Sequence, residues 1–428
     1  MTVMETEEIR SGLIGGPHQH VTAEELDTFV RDHLADADVD GKTVTLVIPD
    51  GTRSCPLPLL MQTMHRHLID RVASLTAVIA LGTHSYMEPD EIERMLGVEA
   101  GGLEDAYPGM RIVNHEWADP EMLVSVGHIS GERIAELSEG RLSVGADIRI
   151  NRYVVESDVS IVVGPVFPHE VVGISGGNKY FIPGVASAEF IDMTHWVGAL
   201  ITSYDIIGTT GITPVRAMIN EGASLIPTQR LALCLVVQSG TGDIEAVAFG
   251  TAERAWELTA AVAAESHVTY VDEPFRKVVS IMPERYEDIW TAAKGFYKLE
   301  PAVADGGEVI IYAPHVTEVS EVHHEIYDIG YHCRDYFVKQ WDAFSHIHWG
   351  VLAHSTHLRG MGTYDAETGE EKLRVKVTLA TQIPREVCES INLGYADPAT
   401  LDFESLAAEP GTFVVPNAGE ILYRVRKR

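Results

Sequence analysis

Basic residues are scarce in this 428-residue sequence: 32 Lys and Arg stand against 63 Asp and Glu, a formal charge of -31. So acidic a chain repels nucleic-acid phosphates and anionic membrane surfaces, and neither is expected as a partner. Any anionic substrate must be held by a few well-placed cations. Cysteine is sparse too. Cys55, Cys234, Cys333 and Cys388 form no CxxC pair, which leaves no disulfide framework and no zinc ribbon and fits a reducing, cytoplasmic setting. No apolar run approaches the roughly 18 residues of a membrane span, and the acidic start MTVMETEEIRSG lacks the profile of a signal peptide. Neither spanning nor secretion is expected.

Apolar residues make up 45% of the chain, enough for more core than one domain usually fills. VTLVIPD (44–50), LTAVIALG (75–82), DVSIVVG (158–164) and LALCLVVQ (231–238) read as buried strands. PLPLLMQTMHRHLIDRV between the first two has helical spacing, and TAERAWELTAAVAAE (251–265) is a helix capped by Thr251. The pattern restarts near residue 270 with VVSIMP, a helix from Tyr286 to about Leu299, and EVIIYAP. The expected fold class is α/β: domains at 1–270 and 271–428, each with a mainly parallel sheet, an active-site cleft between them, and a last segment free to pack back on the first.

Three strand ends carry the chemistry-bearing residues. Asp50-Gly51-Thr52-Arg53 leaves the first strand, Gly82-Thr83-His84 the second, and His169 with the loop GISGGNKY (173–180) the third. An Asp-Gly pair alone is a turn, and one histidine beyond a strand is commonly just exposed. Their equivalent positions on successive strands point to one pocket. The glycine loop with Gly176 and Gly177 is not a Walker A loop, because Lys179 follows Asn and Tyr180 stands where Ser or Thr would hold magnesium. His169, Lys179 and His195, spaced by 10 and 16 positions, offer a proton acceptor, a modifiable amine and a metal ligand.

DGTR at 50–53, GTH at 82–84, PHEVVGISGGNKYFIPGVAS at 168–187 and Thr194-His195 resemble the lactate racemase family. The resemblance covers most of residues 42–200 and the second domain more thinly. It implies a nickel-pincer nucleotide attached through Lys179 by a thioamide bond and ligated by His195. His84 and His169 are the implied acid/base pair, and Asp50 and Arg53 are implied to hold cofactor and substrate. Enzymes that build and supply the cofactor are implied partners, alongside a small 2-hydroxy acid substrate.

Elementary chemistry agrees with that implication. A carboxylate poorly stabilises a second negative charge, so inverting the adjacent hydroxyl-bearing carbon is easier by hydride removal than by proton removal. A planar 2-keto acid then forms, and two bases, one per stereoisomer, handle the hydroxyl proton.

In the second domain Lys294 matches the family's carboxylate-binding lysine, whereas Trp290 stands at the usual Tyr place and Thr291 at the usual Gln place. The shorter Thr291 opens space, so a 2-hydroxy acid larger than lactate, such as a sugar acid, is expected. Trp341 resembles a site-lining tryptophan and equally suits a core position. Competing readings are a zinc hydrolase built on His346, His348, His354 and His357, disfavoured because WDAFSHIHWGVLAHSTHLRG reads as one helix, and a catalytically silent homologue that binds nucleotide or metal.

Overall fold

In the computed structural model, which describes residues 9–426, the apolar stretches lie side by side as parallel strands. Val159–Pro165 is buried along its whole length, and all but the first residue of Thr43–Ile48 is buried. Runs without a polar face belong inside a sheet covered on both sides. The order of the seven-stranded sheet is Gly12–Gly15, Ile244–Thr251, Gln229–Val237, Val159–Pro165, Thr43–Ile48, Ser74–Ile79, Met110–Asn114. The last five are mutually parallel, and Ile244–Thr251 runs antiparallel to both its neighbours. Alternate residues feed opposite faces: Val47, Val78 and Val162 enter one core, while Leu46, Ile48, Ala77, Ile79, Ile161 and Val163 enter the other.

Strand order reverses at Thr43–Ile48. Ser74–Ile79 lies on one side of it and Val159–Pro165 on the other, so a crevice opens at the carboxyl ends of these strands. The three loops expected to carry the site leave from there. A second sheet of five parallel strands has the order Gly394–Tyr395, Lys376–Thr381, Val303–Ala313, Phe275–Ile281, Thr412–Val415.

Two expected helices are broken. The stretch 286–299 holds two short pieces, Ile289–Ala292 and Lys294–Tyr297, and helix starts only at Ile289 because Asp288 caps the first piece by accepting from the Thr291 N–H (2.9 Å) and hydroxyl (2.8 Å). The stretch around His346 and His348 is not helical either. One short helix covers Trp341–Phe344 and the next begins at Trp349, where Asp192 accepts the Gly350 N–H at 3.0 Å. A Cβ on Gly350 would lie 2.7 Å from the Asp192 carboxylate, so this approach needs glycine.

Asp192 and His195 lie on the helix Ala188–Ile201, so that contact packs it against Trp349–Arg359. Glu420 makes a second tie: its carboxylate accepts from the Ser54 N–H (2.8 Å) and the Ser239 hydroxyl (2.9 Å), while Lys298 donates to its backbone carbonyl (2.8 Å). The strand Leu422–Val425 then pairs with Val268–Val271. Among the described residues no helix is long and apolar enough to cross a membrane.

Candidate active site

Asp50 and Thr52 form a local turn in which one Asp50 oxygen accepts the Thr52 N–H (3.1 Å) and hydroxyl (2.6 Å). Its other oxygen is 2.6 Å from His84 Nδ1. Burial alone would raise the Asp50 carboxyl, but the hydrogen bond and charge of His84, with help from Thr52 and Arg53, hold it well below the usual carboxylate range. An ionised Asp50 accepts a hydrogen bond from Nδ1–H of His84. The lone pair of His84 is thereby placed on Nε2.

His169 sits on the short hairpin Pro168–His169/Gly173–Ile174, where its Nδ1 accepts the Val171 N–H at 3.1 Å. Glu170 also reaches to 3.3 Å of that nitrogen. Burial, then the charges of Lys179 and Arg53, push the His169 pKa well down, so the ring is neutral. The two implied proton carriers are therefore held differently: Nδ1 donates in His84 and accepts in His169.

The glycine loop is braced by a group that the sequence reading missed. Arg216, fully buried, stacks on Trp256 at 4.2 Å and donates to the carbonyls of Gly176 (2.9 Å) and Ile174. Trp256 Nε1 donates to the Ser175 carbonyl at 2.9 Å. Gly177 has φ +58°, and a Cβ there would lie 2.6 Å from the Trp256 Cβ and 2.8 Å from the Ala252 carbonyl. Asn178 is pinned by Glu253 (2.8 Å) and Arg230 (2.7 Å). Lys179 thus leaves a rigid loop, and burial, then the charge of Arg53, lower its pKa to about 7 against the opposing pull of Glu170.

His195 donates from Nδ1 to the Ile191 carbonyl at 2.7 Å, four residues back on its own helix. Burial lowers its pKa to about 4, so Nε2 keeps its lone pair for a metal or a proton donor. Lys294 is buried, its pKa lowered to about 8 by burial and Arg53. Trp290 is sandwiched between His323 at 4.0 Å and His354 at 3.9 Å.

Asp50, Arg53, His84, His169, Gly176 and Lys179 line a single cavity of about 480 Å³. His195, Trp290 and Lys294 line it as well. Gly177 lies behind the wall against Trp256. Thr291 and Trp341 do not line the cavity. The Thr291 hydroxyl is taken by Asp288, and Trp341 stacks on Trp196 at 5.3 Å beside the second core, so neither the space argument for Thr291 nor the site role of Trp341 holds. His346 and His348 are exposed, His348 where it borders the cavity, while His354 and His357 are buried on the cavity wall. Among the described residues no group of three His, Cys, Asp or Glu side chains is placed to hold a metal ion, and the zinc-hydrolase reading loses its ligand set. Glu170 and Tyr297, also on the wall, had no sequence signal of their own beyond proximity to His169 and Lys294.

A family profile described as the lactate racemase N-terminal domain matches residues 17–205, which contain every residue from Asp50 to His195 discussed above. Over that stretch the chain matches the lactate racemase family. Curated relatives are the lactate racemases of Thermoanaerobacterium thermosaccharolyticum, 26% identical over 64% of this chain and 60% of that protein, and of Lactiplantibacillus plantarum, 24% identical over 63% and 59%. The matched region thus spans about 60% of the length of these relatives. Among solved structures, a Thermotoga maritima protein aligns with a TM-score of 0.88 at 32% identity, covering 96% of this chain and 100% of that one. The apoprotein of the Thermoanaerobacterium lactate racemase aligns with a TM-score of 0.68 at 20% identity, over 95% and 90%, and shares the fold.

Proposed function

We propose that this protein is a racemase or epimerase that inverts the hydroxyl-bearing carbon of a 2-hydroxy acid, its size beyond lactate resting not on Thr291 but on the polar cavity wall of His354 and His357 beside Lys294. The observation that carries the reading is the convergence of His84, His169, Lys179 and His195 on one cavity with two cations, the half-buried Arg53 and the buried Lys294. In so acidic a chain, two cations at one cavity favour a carboxylate there. The division near residue 270 into two domains that close on the substrate belongs to the same proposal.

The side chains fit the family's nickel-pincer nucleotide. His195 has one nitrogen committed to Ile191 and the other free to ligate. Lys179 is an amine held near its own titration point at neutral pH, reactive enough to be acylated and rigidly presented. Bound at these two residues, the nucleotide would supply a hydride acceptor, which no side chain of the protein can be.

The chain's own residues do the rest. Arg53 and Lys294 hold the carboxylate and set the reacting carbon against the cavity wall. His84, its Nδ1 proton engaged by Asp50, accepts the hydroxyl proton of one stereoisomer at Nε2. The substrate would become a planar 2-keto acid with its carbonyl turned toward His169, and the proton that His84 took must reach that neutral ring before His169 can supply it to the new hydroxyl on the opposite face. The burial that keeps His169 neutral would also keep water from the keto acid.

The test is to produce the protein together with the cofactor-building enzymes, confirm an adduct on Lys179 by intact mass and peptide mapping, and screen 2-hydroxy acids in heavy water. Inverted product without solvent deuterium at the inverted carbon is expected. Deuterium incorporation there, or an adduct with no inversion of any 2-hydroxy acid, refutes the proposal.

A further inference from the structure

The wall of the cavity beside Lys294 carries hydrogen-bonding capacity that the protein does not use. His354 and His357 lie three residues apart on Trp349–Arg359, hence on one face of it, and both line the cavity. His354 donates Nε2–H to the Trp290 carbonyl at 3.0 Å, and its Nδ1 has no partner. His357 is 3% exposed, and neither of its ring nitrogens has a partner among the described residues. Buried polar atoms of this kind are normally satisfied. A third group, Glu170, stands on the same wall, facing Lys294, His357 and Arg53, with Tyr297 also lining the cavity.

The balance of donors and acceptors decides which ligand fits. Both rings are neutral, because burial keeps their pKa values at about 3 and about 4. With Nε2–H of His354 committed, its Nδ1 can only accept, whereas neutral His357 offers one donor and one acceptor. Glu170 only accepts. The wall therefore asks for a ligand that mostly donates. An alkyl chain would leave every one of these atoms orphaned, and a second carboxylate would bring only acceptors against the charge of Glu170. Hydroxyl groups satisfy both requirements, since each donates and accepts.

We infer that Glu170, His354 and His357 form a hydroxyl-binding subsite, so that the substrate is a polyhydroxy monocarboxylic acid rather than an alkyl or dicarboxylic 2-hydroxy acid. This rests on the proposed function for the position of the carboxylate and reacting carbon. It adds what the rest of the molecule must be.

Apoprotein, made without the cofactor-building enzymes, separates the two claims. Calorimetric titration with five- and six-carbon aldonates, 2-hydroxyhexanoate and malate is expected to show an aldonate binding at least tenfold more tightly than the other two. His357→Leu and Glu170→Gln should each cut that preference below threefold by weakening the aldonate, while 2-hydroxyhexanoate is held as before. Circular dichroism and thermal melts check that each variant is folded, and Glu170→Gln, nearly the same in shape, serves if His357→Leu is not. Equal or tighter binding of 2-hydroxyhexanoate or malate, binding of no acid, or full preference in both folded variants overturns the subsite. Inversion of 2-hydroxyhexanoate but of no aldonate by loaded enzyme would sink the subsite and leave the racemase reading standing. Aldonate binding with no inversion of any acid would do the reverse.

Discussion

Asp50→Asn is the substitution that most directly probes how proton transfer is arranged. Asp50 is isosteric with Asn, so the Thr52 turn can persist, and the change falls on the 2.6 Å contact to His84 Nδ1. Two losses follow. The charge-assisted bond that stabilises His84 once it has taken a proton is weakened, which for a bond of this kind is worth roughly 1.5–3 kcal/mol, or about 10- to 150-fold in rate. In addition the amide can present N–H to Nδ1, which forces the proton onto Nε2 and removes the lone pair that acts as base. Together these lower kcat by about 10²- to 10⁴-fold at neutral pH. The assay is initial-rate inversion from each pure stereoisomer, on enzyme whose adduct at Lys179 is verified by intact mass. A loss below threefold with the adduct intact would mean that Asp50 does not set the proton on His84.

Lys179→Met is expected to lose the mass adduct and all inversion while melting no earlier than the parent, because it removes an amine from a buried position; an adduct that persists refutes the attachment. Gly177→Ala places a Cβ against Trp256 and the Ala252 carbonyl at a left-handed φ and should cost about 2–4 kcal/mol in urea unfolding, with a change under 0.5 kcal/mol contradicting the packing. Acid should destabilise the fold through two buried histidines remote from the cavity. Burial lowers the pKa of both His115 and His267 to about 4, below the roughly 6.5 of an unfolded chain. Their contribution is present above pH 6.5 and lost as pH falls from there toward 4, at about 1.4 kcal/mol per pH unit for each. Urea titrations at pH 7, 6 and 5 measure this slope, and His115→Gln should reduce it by about that amount.

The strands and their three loops were legible because a buried parallel strand is written as an unbroken run of apolar residues, and its carboxyl end is where the polar residues resume. Val159–Pro165 followed by His169 shows both signals within a dozen positions. What the sequence hid depends on distant partners. Arg216 looks like any helical arginine until Trp256 and the carbonyls of Ile174 and Gly176 are brought to it. Periodicity carried one helical pattern straight through His346 and His348, because nothing local marks the break that Asp192, more than 150 positions earlier, stabilises at Gly350. Thr291 failed for a nearer reason: Asp288 three residues before it captures its hydroxyl, an ordinary cap that a resemblance at the level of residue types overlooked.

The carboxylate of Glu420 braces Ser54, next to the loop of Asp50 and Arg53, from a position more than 360 residues downstream. During synthesis on the ribosome that loop has no such brace until nearly all of this sequence has emerged. A nascent chain therefore presents Lys179 long before the far wall of its pocket can form, and installation of any prosthetic group belongs after translation has passed Glu420.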